Sequence, residues 1–142
     1  MSGQIMLSEP MEELDRDQCL ELLAAKNLGR VGFVATDGQP LILPVNYGLT
    51  DRAVVFRTAP GTKLSTLPMS RAAFEVDDVD GDAGVAWSVL VTGEAHDISD
   101  SYDQLAGELR GLPVAPAAPG DHPSWVEIYM REVTGRRFHL AG

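Results

Sequence analysis

The runs Leu41-Ile42-Leu43-Pro44-Val45-Asn46-Tyr47, Val54-Val55-Phe56-Arg57-Thr58 and Ala59-Pro60-Gly61-Thr62-Lys63-Leu64 follow one another along the chain. The first two are rich in β-branched and aromatic residues and are separated by the turn-forming Thr50-Asp51-Arg52, the pattern of two strands joined by a tight connection. The third carries a Pro-Gly turn followed by hydroxyl and cationic side chains. A phosphate group is held by backbone N–H donors, short hydroxyls and one or two cations. Arg57, Thr58, Gly61, Thr62 and Lys63 offer all three within seven residues. By spacing alone these cations also fit ordinary surface positions.

Working outward, the segment before these strands has the residues of a helix start. Asp15 is placed as N-cap, Gln18 as its capping-box partner, and Leu14 with Cys19 as a hydrophobic staple. Leu20, Leu22, Leu23 and Ala24 continue the helix, and Gly29 is expected to close it in the left-handed conformation. From Arg30 the period changes to two: Val31, Phe33 and Ala35 share a face, and Asp37-Gly38 marks a hairpin into a strand from Pro40 to Tyr47. Further strands are expected over Ala53–Thr58, Ala72–Asp77, Ala83–Ile98 and Trp125–Leu140. Short helices are expected over Thr62–Leu67 and, capped by Asp100, through Tyr102, Leu105, Ala106 and Leu109. The proline-rich stretch Leu112–Pro123 reads as a loop.

This is a mainly β chain with short helices. Consecutive strands with tight turns predict an antiparallel sheet closed into a small barrel. Its 142 residues suffice for a single domain over residues 11–142, with residues 1–10 expected to be a flexible lead-in. A net charge of −10 argues against nucleic acid, whose affinity comes from clustered Lys and Arg. No stretch approaches the roughly 18 apolar residues of a membrane span, and a cytoplasmic location is expected. Cys19 is the lone cysteine, without a basic neighbour that would activate it, and reads as a small buried hydrophobe. The acidic run Glu75, Asp77, Asp78, Asp80, Asp82 lacks the glycine and glutamate of a calcium loop, Ala83 and Val89 standing there, and reads as a solvated turn. The three histidines show no ligand spacing, and Ser88 has no basic partner in sequence.

Five motifs recur in one order: Pro44-Val45-Asn46-Tyr47; Phe56-Arg57-Thr58 with Gly61-Thr62-Lys63-Leu64; Phe74-Glu75-Val76-Asp77; Trp87-Ser88-Val89 with Gly93; and Val133-Thr134-Gly135-Arg136-Arg137. Over residues 12–138 the chain resembles the short members of the pyridoxamine 5'-phosphate oxidase-like, FMN-binding split-barrel family. The resemblance implies a homodimer with a flavin at each end of the subunit interface. It implies that Arg57, Thr58, Thr62 and Lys63, with Leu64 beside them, hold the cofactor phosphate. Pro44, Val45 and Asn46 would lie along the ring, Trp87 and Ser88 would come from the second subunit, and Arg136 with Arg137 would stand nearby. FMN is the implied cofactor, with a deazaflavin coenzyme or haem as alternatives. The implied activity is hydride transfer to or from a small planar substrate, the alternatives being a non-catalytic storage or sensor protein and a cofactor-free structural dimer. Arg137-Phe138-His139 matches the oxidase's Arg-x-His substrate element in letters, but the segments that follow it there are missing here.

Overall fold

The computed structural model describes residues 11–58, 70–99, 107–108, 110–114 and 124–140. Among the described residues, eight strands and the helix α1 run in the order β1 (Glu12–Leu14), α1 (Arg16–Ala24), β2 (Leu28–Val34), β3 (Pro40–Leu49), β4 (Ala53–Thr58), β5 (Ser70–Asp80), β6 (Val85–Asp97), β7 (Ser124–Tyr129) and β8 (Glu132–His139). The strands lie in the order β1-β8-β6-β5-β2-β3-β4-β7, and β6 also pairs with β7. That extra pairing closes six antiparallel strands into a barrel, with β8 and β1 extending from β6 as a flap: a split barrel. The expected helices at Thr62–Leu67 and Tyr102–Leu109, and the lead-in, fall on residues outside those described, although Gly107, Glu108 and Arg110 are helical.

Alternation fills the interior. Val31, Phe33, Val45, Tyr47, Val54, Phe56, Phe74, Val76, Val89, Val91, Val126 and Ile128 form one buried cluster, with Cys19 and Leu23 of α1 joining it. The Tyr47 ring meets Phe74 edge-on at 4.8 Å, and its buried hydroxyl donates to the Leu23 carbonyl. A smaller cluster, Val55 and Ile98 with Leu112 and Trp125, covers the outer side of β4.

Local chemistry explains the first turns. The Asp15 carboxylate accepts from the Gln18 N–H at 2.8 Å, and the Asp15 N–H donates to the Gln18 side chain at 2.9 Å. Nine residues are too few for a helix to persist unaided, so the capping box and the buried Cys19 and Leu23 hold it jointly. Replacing Asp15 with Ala is expected to lower stability by about 1 kcal/mol, read from the urea midpoint. Gly38 adopts φ 88°, as the Asp-Gly hairpin requires.

Three expectations are corrected. Gly29 does not cap the helix: α1 ends at Ala24 with Ala25 as its cap, and Gly29 lies in β2. Phe74 is the reason for a glycine there, because a Cβ at position 29 would sit 2.5 Å from the ring. The expected strand Trp125–Leu140 is two strands, broken at Met130-Arg131 where the chain passes from the barrel to the flap. The acidic run is less of a turn than expected: the strand expected to stop at Asp77 continues to Asp80, so Asp78 and Asp80 also lie in β5 and only Asp82 falls in the turn.

Candidate functional site

The residues singled out from sequence fall into two groups on one chain. The first is at the β3–β4 edge. The β3–β4 ladder begins only at Tyr47↔Phe56, so Pro44, Val45 and Asn46 have β2 as a strand neighbour on one side and none on the β4 side among the described residues. Val45 turns its side chain into the core at 2% exposure, so only its backbone is available to a ligand. Pro44 is exposed and lines a groove of about 350 Å³ with Lys26, Arg30 and Asp77.

At the end of β4, alternation sends Arg57 and Thr58 to opposite faces. The Arg57 guanidinium lies over the Trp125 ring, 5.0 Å from its centroid, and donates from Nη1 to the Val114 carbonyl at 3.2 Å. Its Nε is buried without a partner, and so is the Thr58 hydroxyl, among the described residues. A buried, unsatisfied polar atom carries a penalty of about 1–3 kcal/mol, so each face of this strand end offers one group suited to an incoming hydrogen-bonding partner. Thr62, Lys63 and Leu64 lie outside the described residues.

The second group is on β6 and β8; β6 is two strands from β4 through β7, but β7 meets it only at Ala95–Asp97, and Ser88 lies well along β6 from there. Ser88 pairs with Arg136, and Arg136 with Glu13 of β1. Together they line a pocket of about 370 Å³ with Met11, Leu14 and Thr134. Arg136 reaches the Met11 sulfur at 3.7 Å, whereas Arg137, on the other side of β8, is bonded to Glu12. Trp87 is half-buried against the barrel core. One chain therefore does not bring Ser88 and Arg136 to Arg57 and Thr58.

Between the two groups, two carboxyls of the acidic run meet Arg30, a contact that no spacing in the chain announces. Arg30 donates from Nη1 to Glu75 at 3.0 Å and to Asp77 at 3.4 Å. Despite that ion pair, Glu75 is pushed up to about 7, first by desolvation and then by its contact with the Asp77 carboxyl. Arg30 pulls the other way but is itself 54% exposed, so solvent weakens its hold. Asp78 is lowered, chiefly by its hydrogen bond from Lys26. The alternation in Phe74-Glu75-Val76-Asp77 was the signal that both carboxyls share a face. Elsewhere, burial raises the Cys19 thiol above its usual value, which keeps it unreactive. No helix among the described residues is long and apolar enough to cross a membrane.

The chain belongs to the pyridoxamine 5'-phosphate oxidase family, whose model matches residues 15–137. It is similar to the uncharacterized protein Rv0080 of Mycobacterium tuberculosis, with 39% identity over 127 residues, covering 85% of this chain and 76% of that protein. Among solved structures it resembles a candidate pyridoxamine 5'-phosphate oxidase of Corynebacterium glutamicum, at 33% identity and TM-score 0.79, covering 96% and 98% of the two chains. It also resembles an FAD binding protein of Mycobacterium smegmatis, at 32% identity and TM-score 0.74, covering 90% and 98%.

Proposed function

We propose that this chain is a homodimeric, flavin-dependent oxidoreductase that binds FMN between two copies and transfers hydride to or from a small planar substrate. The observation that carries this reading is the Thr58 hydroxyl at the end of β4, buried and without a partner among the described residues, with the Arg57 Nε in the same state on the other face of the strand. Their chemistry fits an anionic phosphate, and Thr62 and Lys63 would add a hydroxyl and a second cation. The FAD of the M. smegmatis relative shares its ring and inner phosphate with FMN. The separation of the two residue groups supports a second copy, because a partner would bring its own Trp87, Ser88 and Arg136 to the Arg57 end of the first.

A bound flavin supplies the hydride chemistry; the protein supplies position and environment. Arg57, held over the Trp125 ring, would anchor charge without swinging away. The backbone of Val45 and Asn46 would meet the polar edge of the ring, while the Val45 side chain keeps that strand fixed in the core. Trp87 would shield the site from water. The small planar substrate is what the family resemblance implies.

The test is the visible spectrum of the purified protein before and after adding FMN, followed by a titration of Thr58→Val. Valine keeps the shape and removes the unpaired hydroxyl. The variant is expected to be as stable as the parent or more so without cofactor, and to bind FMN more weakly by about 0.5–1.5 kcal/mol. Unchanged FMN affinity would remove Thr58 from the site. A Soret band, or no flavin uptake at all, would overturn the flavin reading, and bound flavin that no acceptor reoxidises would favour storage over catalysis.

A further inference from the structure

The outer face of the β3-β2-β5-β6-β8 sheet combines apolar exposure with unbalanced charge. Leu28, Ile42, Val79 and Leu90 stand on it, Ile42 at 72% exposure. In their midst Glu75 and Asp77, two residues apart on β5, reach the same Arg30 nitrogen. One guanidinium thus serves two carboxyls. The remaining neighbours do not correct the imbalance. Glu75 pairs with Leu90 of β6 and Asp77 with Ser88, while Pro44 of β3 is across from Arg30. Beyond β6, β8 presents Thr134 and Arg136. Arg136 is two strands from Asp77, about 10 Å by strand spacing, which is about one Debye length in physiological salt. Lys26, nearest along α1 and its exit, is engaged by Asp78.

We propose that two copies of this chain pair through this face with uptake of a proton at Glu75, so that association tightens as the pH falls through neutrality. The inference rests on the dimeric reading above. A second copy is the occupant that fits, because the commonest assembly is a two-fold dimer in which one patch meets itself, and Ser88 and Arg136, the residues the divided site needs from a partner, lie on this face beside Leu90. Covering the face strips water from a carboxyl that already has a carboxylate neighbour, which disfavours its charged form. The partly covered Glu75 of the single chain already titrates at about 7, and full coverage moves it higher. A group that binds its proton more tightly in the dimer than in the monomer favours the dimer below the dimer's value, and that advantage fades as pH rises through it.

Sedimentation velocity on a dilution series of the full chain tests this at about pH 6 and about pH 8.5. With one site per copy, the dimer dissociation constant of the parent is expected to be about tenfold or more lower at the acidic pH. Glu75→Gln keeps the shape without the titration and should dimerise with nearly the same constant at both. Asp77→Asn, an independent check should the first variant fold poorly, removes the like-charge neighbour and should shrink the ratio. A parent dimer indifferent to pH overturns the proton uptake and leaves the dimer standing, as does a ratio that persists in both variants. A monomer at both pH values overturns the dimeric reading, and this inference falls with it.

Discussion

Gly93→Ala is expected to stop the barrel from closing. A Cβ at position 93 would stand 1.7 Å from the Tyr129 carbonyl oxygen and 2.9 Å from its carbon, and both obstacles are backbone, so no rotamer change relieves the clash. The place is decisive because β6 changes partners there. Its ladder with β8 runs from Val85 to Thr92, and its ladder with β7 runs from Ala95 to Asp97. Between them the chain at Tyr129–Arg131 crosses directly over Gly93, tied down by the Arg131 N–H to the Thr92 carbonyl at 3.0 Å and the Met130 N–H to the Arg52 carbonyl at 2.8 Å. A glycine inside a strand often marks such a close backbone approach. Separating the two segments far enough to admit a methyl would break those bonds and open the β6–β7 seam, so the loss belongs with the exceptional single substitutions of about 4 kcal/mol or more. The measurement is urea unfolding, or the soluble fraction on expression when the variant does not fold. A variant within about 1 kcal/mol of the parent would mean that β7 and β8 yield easily at their junction.

That same glycine shows why part of the fold was legible in the chain and part was not. Features set by neighbours in sequence could be read: the Asp15–Gln18 box, the Asp37-Gly38 turn, and the alternation of Val31, Phe33 and Ala35 that turns one face of β2 inward. Features set by distant segments could not. Tyr129-Met130-Arg131 contains neither Gly nor Pro, so nothing local announces the break between β7 and β8; its cause is Gly93, in another strand. Gly29 has a local environment suited to a helix cap, yet its role comes from Phe74 on β5. The three residues of β1 are too few to show a period and exist as a strand because β8 offers an edge. The candidate site divides in the same way. Arg57 and Thr58 could be singled out by residue type alone, whereas the Arg30–Glu75–Asp77 cluster joins β2 to β5 across 45 residues, and only the register that pairs Arg30 with Glu75 brings it together.

Phe74→Ala is expected to lower stability by about 3–5 kcal/mol, the range for emptying a large aromatic from a packed core. Phe74 is fully buried, and three features of its surroundings argue for the upper part of that range. Gly29 beneath it has no side chain to move into the space, since its own missing Cβ is what admits the ring. Tyr47, its edge-on neighbour, is anchored by its hydroxyl to the Leu23 carbonyl and cannot tilt into the gap without losing a buried hydrogen bond. Val31 and Val91, its strand partners on either side, are β-branched and stiff about χ1. A cavity whose walls cannot relax retains its full penalty. Combining Phe74→Ala with Gly29→Ala tests this directly: the added methyl now points into vacated space, so the double variant should recover part of the loss, although Gly29→Ala alone destabilises. Urea midpoints of the four proteins give the coupling energy, and strict additivity would show that Gly29 is required for its backbone and not for the ring above it.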